Sequence, residues 1–227
     1  MIAAALFLAA ATTPGTPRVE PPDTAYAAFR EGRLADAEAV LLPVINKCLV
    51  DHADGEPCVD VAAMHMMVIA LDGNAAREKT LLDAMGFVER AAGPDDSTTA
   101  LAVRAVGLYY DKRQDVAKAM PWFKRGMDLA LERYGPRAPQ SVTAVVGYAM
   151  TLFASDRAGE AIPLIEPYAN LPATTPAQKT LLAEVLSQLG NLYRAAGRRR
   201  DAEDPLRRAL SLFNETSRER DPRAESA

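Results

Sequence analysis

The side chains in this chain with donor or nucleophile chemistry are few: two cysteines, two histidines and a run of methionines. Met64-His65-Met66-Met67 puts three thioethers and an imidazole into four residues. Soft sulfur ligands suit Cu(I). On a helix, however, Met64 and Met67 share a face while His65 and Met66 point elsewhere, so the four do not converge on one ion. Methionine is also a common filler of core gaps. Core packing is the primary reading, and Cu(I) handling is its alternative. Cys48 and Cys58 flank the loop sequence LVDHADGEP. A zinc site using Cys48, His52 and Cys58 has three good ligands, needs Asp51, Asp54 or Asp60 as a fourth, and matches no structural zinc spacing. An even pair of cysteines in an oxidising compartment reads instead as a disulfide.

Catalytic patterns are missing. There is no Gly-rich phosphate loop, no H-E-x-x-H and no G-x-S-x-G. His52 and His65 leave few bases for a nucleophile to use. Carboxylates are plentiful, but nothing selects a hydrolytic pair. The expectation is therefore a non-enzyme with no catalytic residue, no metal and no cofactor. The alternatives are Cu(I) handling, association with a cell-envelope enzyme, or a self-associating structural protein.

The elements that carry these residues follow from composition and punctuation. Of 227 residues, 49% are hydrophobic, 25% charged and 6% aromatic. Abundant alanine with few aromatics favours packed helices over sheets. The net charge of -4 is too small to imply a nucleic-acid partner. Its distribution is uneven: residues 1–100 carry seven Lys and Arg against fifteen Asp and Glu, and residues 101–227 carry nineteen against fifteen. Arg198, Arg199, Arg200, Arg207 and Arg208 make the C-terminal end basic, a patch that reads first as a solvated helix surface.

Ile2 to Ala11 reads IAAALFLAAA, the length of a signal-peptide core and too short to span a bilayer. Residues 1–11 are expected to be a signal peptide cleaved after Ala11, which makes the protein exported, into a bacterial periplasm. No other segment reaches the ~20 apolar residues of a membrane span, so no integral membrane segment is expected in the mature chain. Thr13 to Asp23 reads TPGTPRVEPPD, and residues 12–22 are expected to form an extended tether. Residues 215–227 are polar and expected to fray as a disordered tail.

Between these ends the chain repeats itself. Leu189 to Leu210 reads as a helix, a tight turn at Gly197 and a second helix. Stepping back by 41 or 42 residues, the turn position holds Gly32, Gly73, Gln114, Asp156 and Gly197. The small site of the second helix holds Ala37, Glu78, Ala119, Ala161 and Ala202. The bulky site of the first helix holds Ala28, Ile69, Tyr110, Leu152 and Tyr193, and that of the second holds Leu41, Leu82, Phe123, Ile165 and Leu206. A fixed period in this range marks a helical solenoid. Breakers fall between units at Gly55 with Pro57, Gly93-Pro94, Gly135-Pro136 and Pro172 with Pro176. Pro121, Pro163 and Pro205 fall just after turns, where a helix start tolerates proline.

The pattern resembles the tetratricopeptide repeat (TPR), in the longer form found in kinesin light chains. The resemblance covers about residues 23–214 and is strongest at Leu189 to Leu210. The first two units match least well. It implies an all-α fold, a right-handed superhelical solenoid of about five antiparallel helix pairs, whose first helices line a concave groove. It also implies a scaffold that binds a protein or peptide there. The family's groove positions fall on Tyr26, Met67, Leu108, Met150 and Asn191 in one row. Phe29, Asp111, Phe153 and Arg194 form a second row, with Arg104, Glu184 and Gln188 nearby. The asparagine ladder or basic clamp of many peptide-binding relatives is absent. A homo-oligomer, or occupation of the groove by the chain's own ends, is compatible with this surface.

Overall fold

The computed structural model describes residues 18–52 and 55–219. The expected signal peptide, residues 12–17 of the expected tether and residues 220–227 lie outside the described residues. Among the described residues there are ten α-helices and no strand. They are α1 (Asp23–Arg30), α2 (Leu34–Asp51), α3 (Val59–Asp72), α4 (Glu78–Ala92), α5 (Ser97–Lys112), α6 (Val116–Tyr134), α7 (Pro139–Ala154), α8 (Ala158–Ile165), α9 (Pro176–Ala195) and α10 (Arg199–Glu219). None of them is long and apolar enough to cross a membrane. The chain divides into two compact units, one ending at Leu129 and the other starting at Ala130.

Unit 1 holds the pairs α1–α2 and α3–α4, then α5 with most of α6. Its core gathers Ala37 and Leu41 of α2, Met64, Met66 and Ile69 of α3, Leu81 and Met85 of α4, and Val106 and Tyr109 of α5. Helix α3 is apolar on every side and is buried from Val61 through Ala70, as an all-round hydrophobic helix must be. Unit 2 holds the pairs α7–α8 and α9–α10. Val142, Val145 and Ala149 of α7, Ala161 and Ile165 of α8, and Leu182, Leu186 and Leu192 of α9 are buried there.

The repeat register sets the turns. All five turn positions are left-handed: Gly32, Gly73 and Gly197 at φ 76°, 72° and 75°, and Gln114 and Asp156 both at 58°. Glycine takes this region freely, whereas other residues rarely enter it. Pair geometry therefore imposes the turn even where glycine is missing. Four of the five close in the same way. At the first, Gly32 N–H bonds Phe29 C=O at 3.1 Å and Arg33 N–H bonds Ala28 C=O at 2.9 Å. The turns at Gln114, Asp156 and Gly197 repeat both bonds. This double bond satisfies the last carbonyls of the first helix.

The second turn departs from the rule, and with it the register of α4. After Gly73, the Asn74 side chain accepts from Ala76 N–H at 3.0 Å and caps a 3-10 turn over Ala75–Arg77. That extra turn rotates α4. Its buried stripe is Leu81, Met85 and Val88, while Leu82, the expected bulky site, is 37% exposed. The expected small site, Glu78, begins the helix and is not a packing position. Elsewhere Ala37, Ala119, Ala161 and Ala202 are all buried at the small site. Pro121, Pro163 and Pro205 lie in the second turns of α6, α8 and α10 rather than at their starts. Each costs its helix a ladder bond.

Two boundaries also differ from expectation. Residues 18–22 do not hang free as part of a tether. The Arg18 guanidinium holds Asp96 with both arms at 3.0 and 3.2 Å, donates to Thr98 Oγ1 at 3.1 Å, and lies 3.5 Å from Asp60. Val19 N–H bonds Pro57 C=O at 2.7 Å. The segment straps the start of α5, capped by Asp96, to the start of α3 before α1 begins at Asp23. At the other end α10 runs to Glu219, past the expected boundary at 214. Thr216 is buried there, and Lys179 of α9 holds Glu215 at 2.6 Å.

Cys48 and Cys58 form a disulfide with a Cα–Cα distance of 5.8 Å, and both are buried. It closes a short loop, for which the chain-entropy relation gives about 2.5 kcal/mol. Replacing both cysteines with serine should lower unfolding stability by that amount in a denaturant titration, with helix content unchanged. A loss below about 0.5 kcal/mol would mean that the loop is held by other contacts.

Candidate functional site

The expected groove residues fall on the first helix of each pair, and the units are described separately. In unit 1, Tyr26 and Phe29 are on α1, Met67 on α3, and Arg104, Leu108 and Asp111 on α5. Tyr26 and Leu108 are partly buried and pack against the cluster that contains Phe29 and Met67. The last two are 5% and 2% exposed. They act as packing under the surface rather than as surface. Burial, with Glu20, Asp60 and Asp23 nearby, pushes the Tyr26 phenol up to about 12. Arg104, Leu108 and Asp111 follow one another at i, i+4 and i+7 and so share a stripe of α5.

In unit 2, Met150 and Phe153 of α7 are half-buried one turn apart. On α9, Glu184, Gln188 and Asn191 are half-buried on one stripe, and Arg194 is exposed at the helix end.

Arg104 and Glu184 are half-buried and Asp111 is exposed, and none of the three has a side-chain partner among the described residues. Burial alone lowers the pKa of the Arg104 guanidinium and raises those of the Asp111 and Glu184 carboxyls. Desolvating a charge without pairing it is unfavourable, so such groups mark candidate binding positions.

The methionine run has no free donors. Met64 and Met66 are fully buried and Met67 nearly so. His65 Nε2 lies 2.8 Å from Glu38 Oε1. Among the described residues no cluster of His, Cys, Asp and Glu is arranged to hold a metal. With Cys48 and Cys58 joined, neither sulfur is a zinc ligand.

A set of polar residues missed in the sequence ties successive pairs together. Glu38 of α2 holds His65 of α3 and the guanidinium of Arg77 ahead of α4. Glu78 of α4 accepts from the Tyr110 hydroxyl of α5 at 2.8 Å and from Lys118 of α6 at 3.0 Å. In unit 2, Glu166 after α8 accepts from the Tyr193 hydroxyl of α9 at 2.6 Å, and Arg198 covers the Tyr193 ring at 4.4 Å. The scheme recurs: a carboxylate from one second helix, then a hydroxyl or imidazole and a cation from the next pair. Burial of the phenols, reinforced by these carboxylates, pushes Tyr110 and Tyr193 up to about 12. The only sequence signal was an aromatic before the turn at 110 and 193.

The basic C-terminal patch is mostly consumed in the same way. Arg198 pairs with Asp201, Arg207 with Asp204, and Arg208 donates to Ala169 C=O. Arg199 and Arg200 remain exposed, beside an open hollow of about 430 Å³ lined by Gly197, Arg198, Arg199, Arg200 and Asp201.

No protein-family model matches the chain, and no curated protein matches it. Solved structures do. A Podosopora anserina protein of nearly identical TPR-like repeats, of kinesin-light-chain type, aligns with TM-score 0.69 at 14% identity over 85% of this chain and 92% of its own. A single-residue variant of that protein aligns with TM-score 0.70 over 86% and 93%. MamA MSR-1 aligns with TM-score 0.51 at 18% identity over 86% of this chain and 95% of its own. Likeness at this level of identity speaks for the fold, and the fold of this chain is the tetratricopeptide-like helical repeat.

Proposed function

We propose that this protein is an exported scaffold that binds a protein or peptide on the inner faces of its first helices. One observation carries the reading. Each unit presents a half-buried ionisable group there, Arg104 in unit 1 and Glu184 in unit 2, with no counter-ion among the described residues. Arg104 shares a stripe of α5 with half-buried Leu108. Met150 and Phe153 are half-buried on α7, and Glu184 is on α9. An apolar strip with a few polar handles suits an amphipathic segment. Export is supported by the apolar N-terminal run and by a disulfide, which persists in oxidising compartments. Sequencing the N-terminus of the mature protein is its direct check.

The binding test treats the units separately. A partner captured from the cell envelope is identified and then titrated against Leu108→Glu and against Met150→Glu combined with Phe153→Glu. At least one variant should bind about tenfold more weakly, about 1.4 kcal/mol, with an unchanged helical spectrum. Undiminished affinity in both would remove the inner faces as the site.

A further inference from the structure

Helix α2 is unusual among the second helices of the array. It buries Ala37, Leu41 and Cys48. At about 100° per residue, the opposite face carries Ala35, Ala39, Leu42, Asn46, Leu49 and Val50. All six are exposed and none is charged. Leu42 is 40% exposed, Leu49 44% and Val50 84%. Ion pairs are present on the exposed sides of α4 (Lys79–Asp83, 2.6 Å), α6 (Lys124–Asp128, 2.7 Å) and α10 (Arg207–Asp204, 2.6 Å). At α2 the pairs Arg33–Asp36 and Lys47–Asp51 stand to one flank and leave the uncharged strip open. A charged solvent face is the ordinary state of an amphipathic helix, and a contiguous apolar face marks an interaction surface.

We propose that α2 is a self-association surface, on which a second copy of this chain packs its own α2 antiparallel about a two-fold axis near Leu42. Two features of α2 are self-complementary under that operation and favour a second copy over any other occupant. The first is size. The face tapers from Ala35 and Ala39 at one end to Leu49 and Val50 at the other. An antiparallel copy centred on Leu42 sets each small end against the other's large end, with Leu42 meeting its own counterpart. The second is charge. Asp36 and Lys47 are eleven residues apart, three helical turns, and so lie on the same flank of the face. A two-fold axis between residues 41 and 42 brings Asp36 of each copy opposite Lys47 of the other. A two-fold interface uses the same patch on both copies, so it needs this pairing of opposites within one helix. The present partners of these groups, Arg33 at 2.5 Å and Asp51 at 2.8 Å, are exposed and weakly held. The disulfide at Cys48 fixes the last turn of the face before any partner arrives.

The test is sedimentation equilibrium of the full chain over a wide concentration range, with helicity checked by circular dichroism. A reversible monomer–dimer equilibrium is expected. Leu42→Glu and Leu49→Glu should each raise the dissociation constant about tenfold or more, about 1.4 kcal/mol. Both positions are exposed, so the monomer should keep its fold. Asp36→Lys and Lys47→Asp should each weaken the dimer. The double variant D36K/K47D should restore it, because each copy then again meets its opposite. A monomer at every concentration, a dimer indifferent to Leu42→Glu, or oligomers that grow without closing would overturn the proposal. Failure of the double variant to rescue would overturn the antiparallel register.

Discussion

Replacing Gly190 with leucine should cost unit 2 about 3 kcal/mol or more. Gly190 sits in α9 where α10 crosses it. A Cβ there would stand 2.5 Å from Leu206 Cγ and 2.7 Å from its Cδ2, with the Ala202 carbonyl oxygen at 3.4 Å. Two effects oppose each other on smaller substitutions. Alanine is favoured over glycine inside a helix by about 1 kcal/mol, while overpacking a tight contact costs about 1–3 kcal/mol. Gly190→Ala should therefore be mildly destabilising, with Leu206 rotating away. Gly190→Leu adds three more carbons where the helix backbones meet, so packing loss dominates. The measurement is a denaturant titration with a double-mutant cycle. Leu206→Ala should recover a large part of the Gly190→Leu loss, because the two changes compete for one volume. Strict additivity of the two would mean that α9 and α10 are not in close contact at this point.

The same residues show why the fold was legible. The positions of Gly197, Ala202 and Leu206 recur at a fixed step, and each step repeats one geometric demand: a left-handed turn, then a close approach. Gln114 and Asp156 obey that demand without glycine, so the period spoke more clearly than any single residue type. The register failed at α4, where a local signal was overlooked. Asn74 directly after Gly73 is a good cap, and the turn it caps displaces the helix face. The inner-face residues were less legible. The resemblance assigns one side of each first helix to the expected groove, but not what covers that side. Phe29 and Met67 are buried, while Leu108, Met150 and Phe153 remain partly open. The ties between pairs left almost no trace in the sequence, because their members stand 27 to 40 residues apart and act only once stacked.

Arg18 is the clearest case of such long-range information, and its removal should cost unit 1 about 3 kcal/mol at neutral pH. The guanidinium and the Asp96 carboxylate are each 12% exposed, and Asp60 is 17% exposed. Arg18→Ala leaves two carboxylates close together with only Thr98 between them, its hydroxyl already donating to Asp60 at 2.5 Å. Breaking a buried pair by removing one partner costs about 3–5 kcal/mol. The residual exposure here places the expectation at the lower end. The sign of the pH dependence follows from Asp96. Burial alone would raise its carboxyl, but hydrogen bonds from Arg18 and the Thr98 N–H outweigh that and hold it below the usual range. A carboxyl depressed in the fold contributes stability that is present above its unfolded value, about 3.9. That stability is lost as pH falls through the folded value. The gap between native protein and Arg18→Ala should be full at pH 7 and should close once the medium is acid enough to protonate Asp96. Arg18→Lys keeps the charge but not the two-armed grip, and should fall between them. Denaturant titrations of all three proteins at neutral and acid pH provide the comparison. A gap that stays constant with pH would show that the strap is held by Val19 and packing rather than by the ion pair.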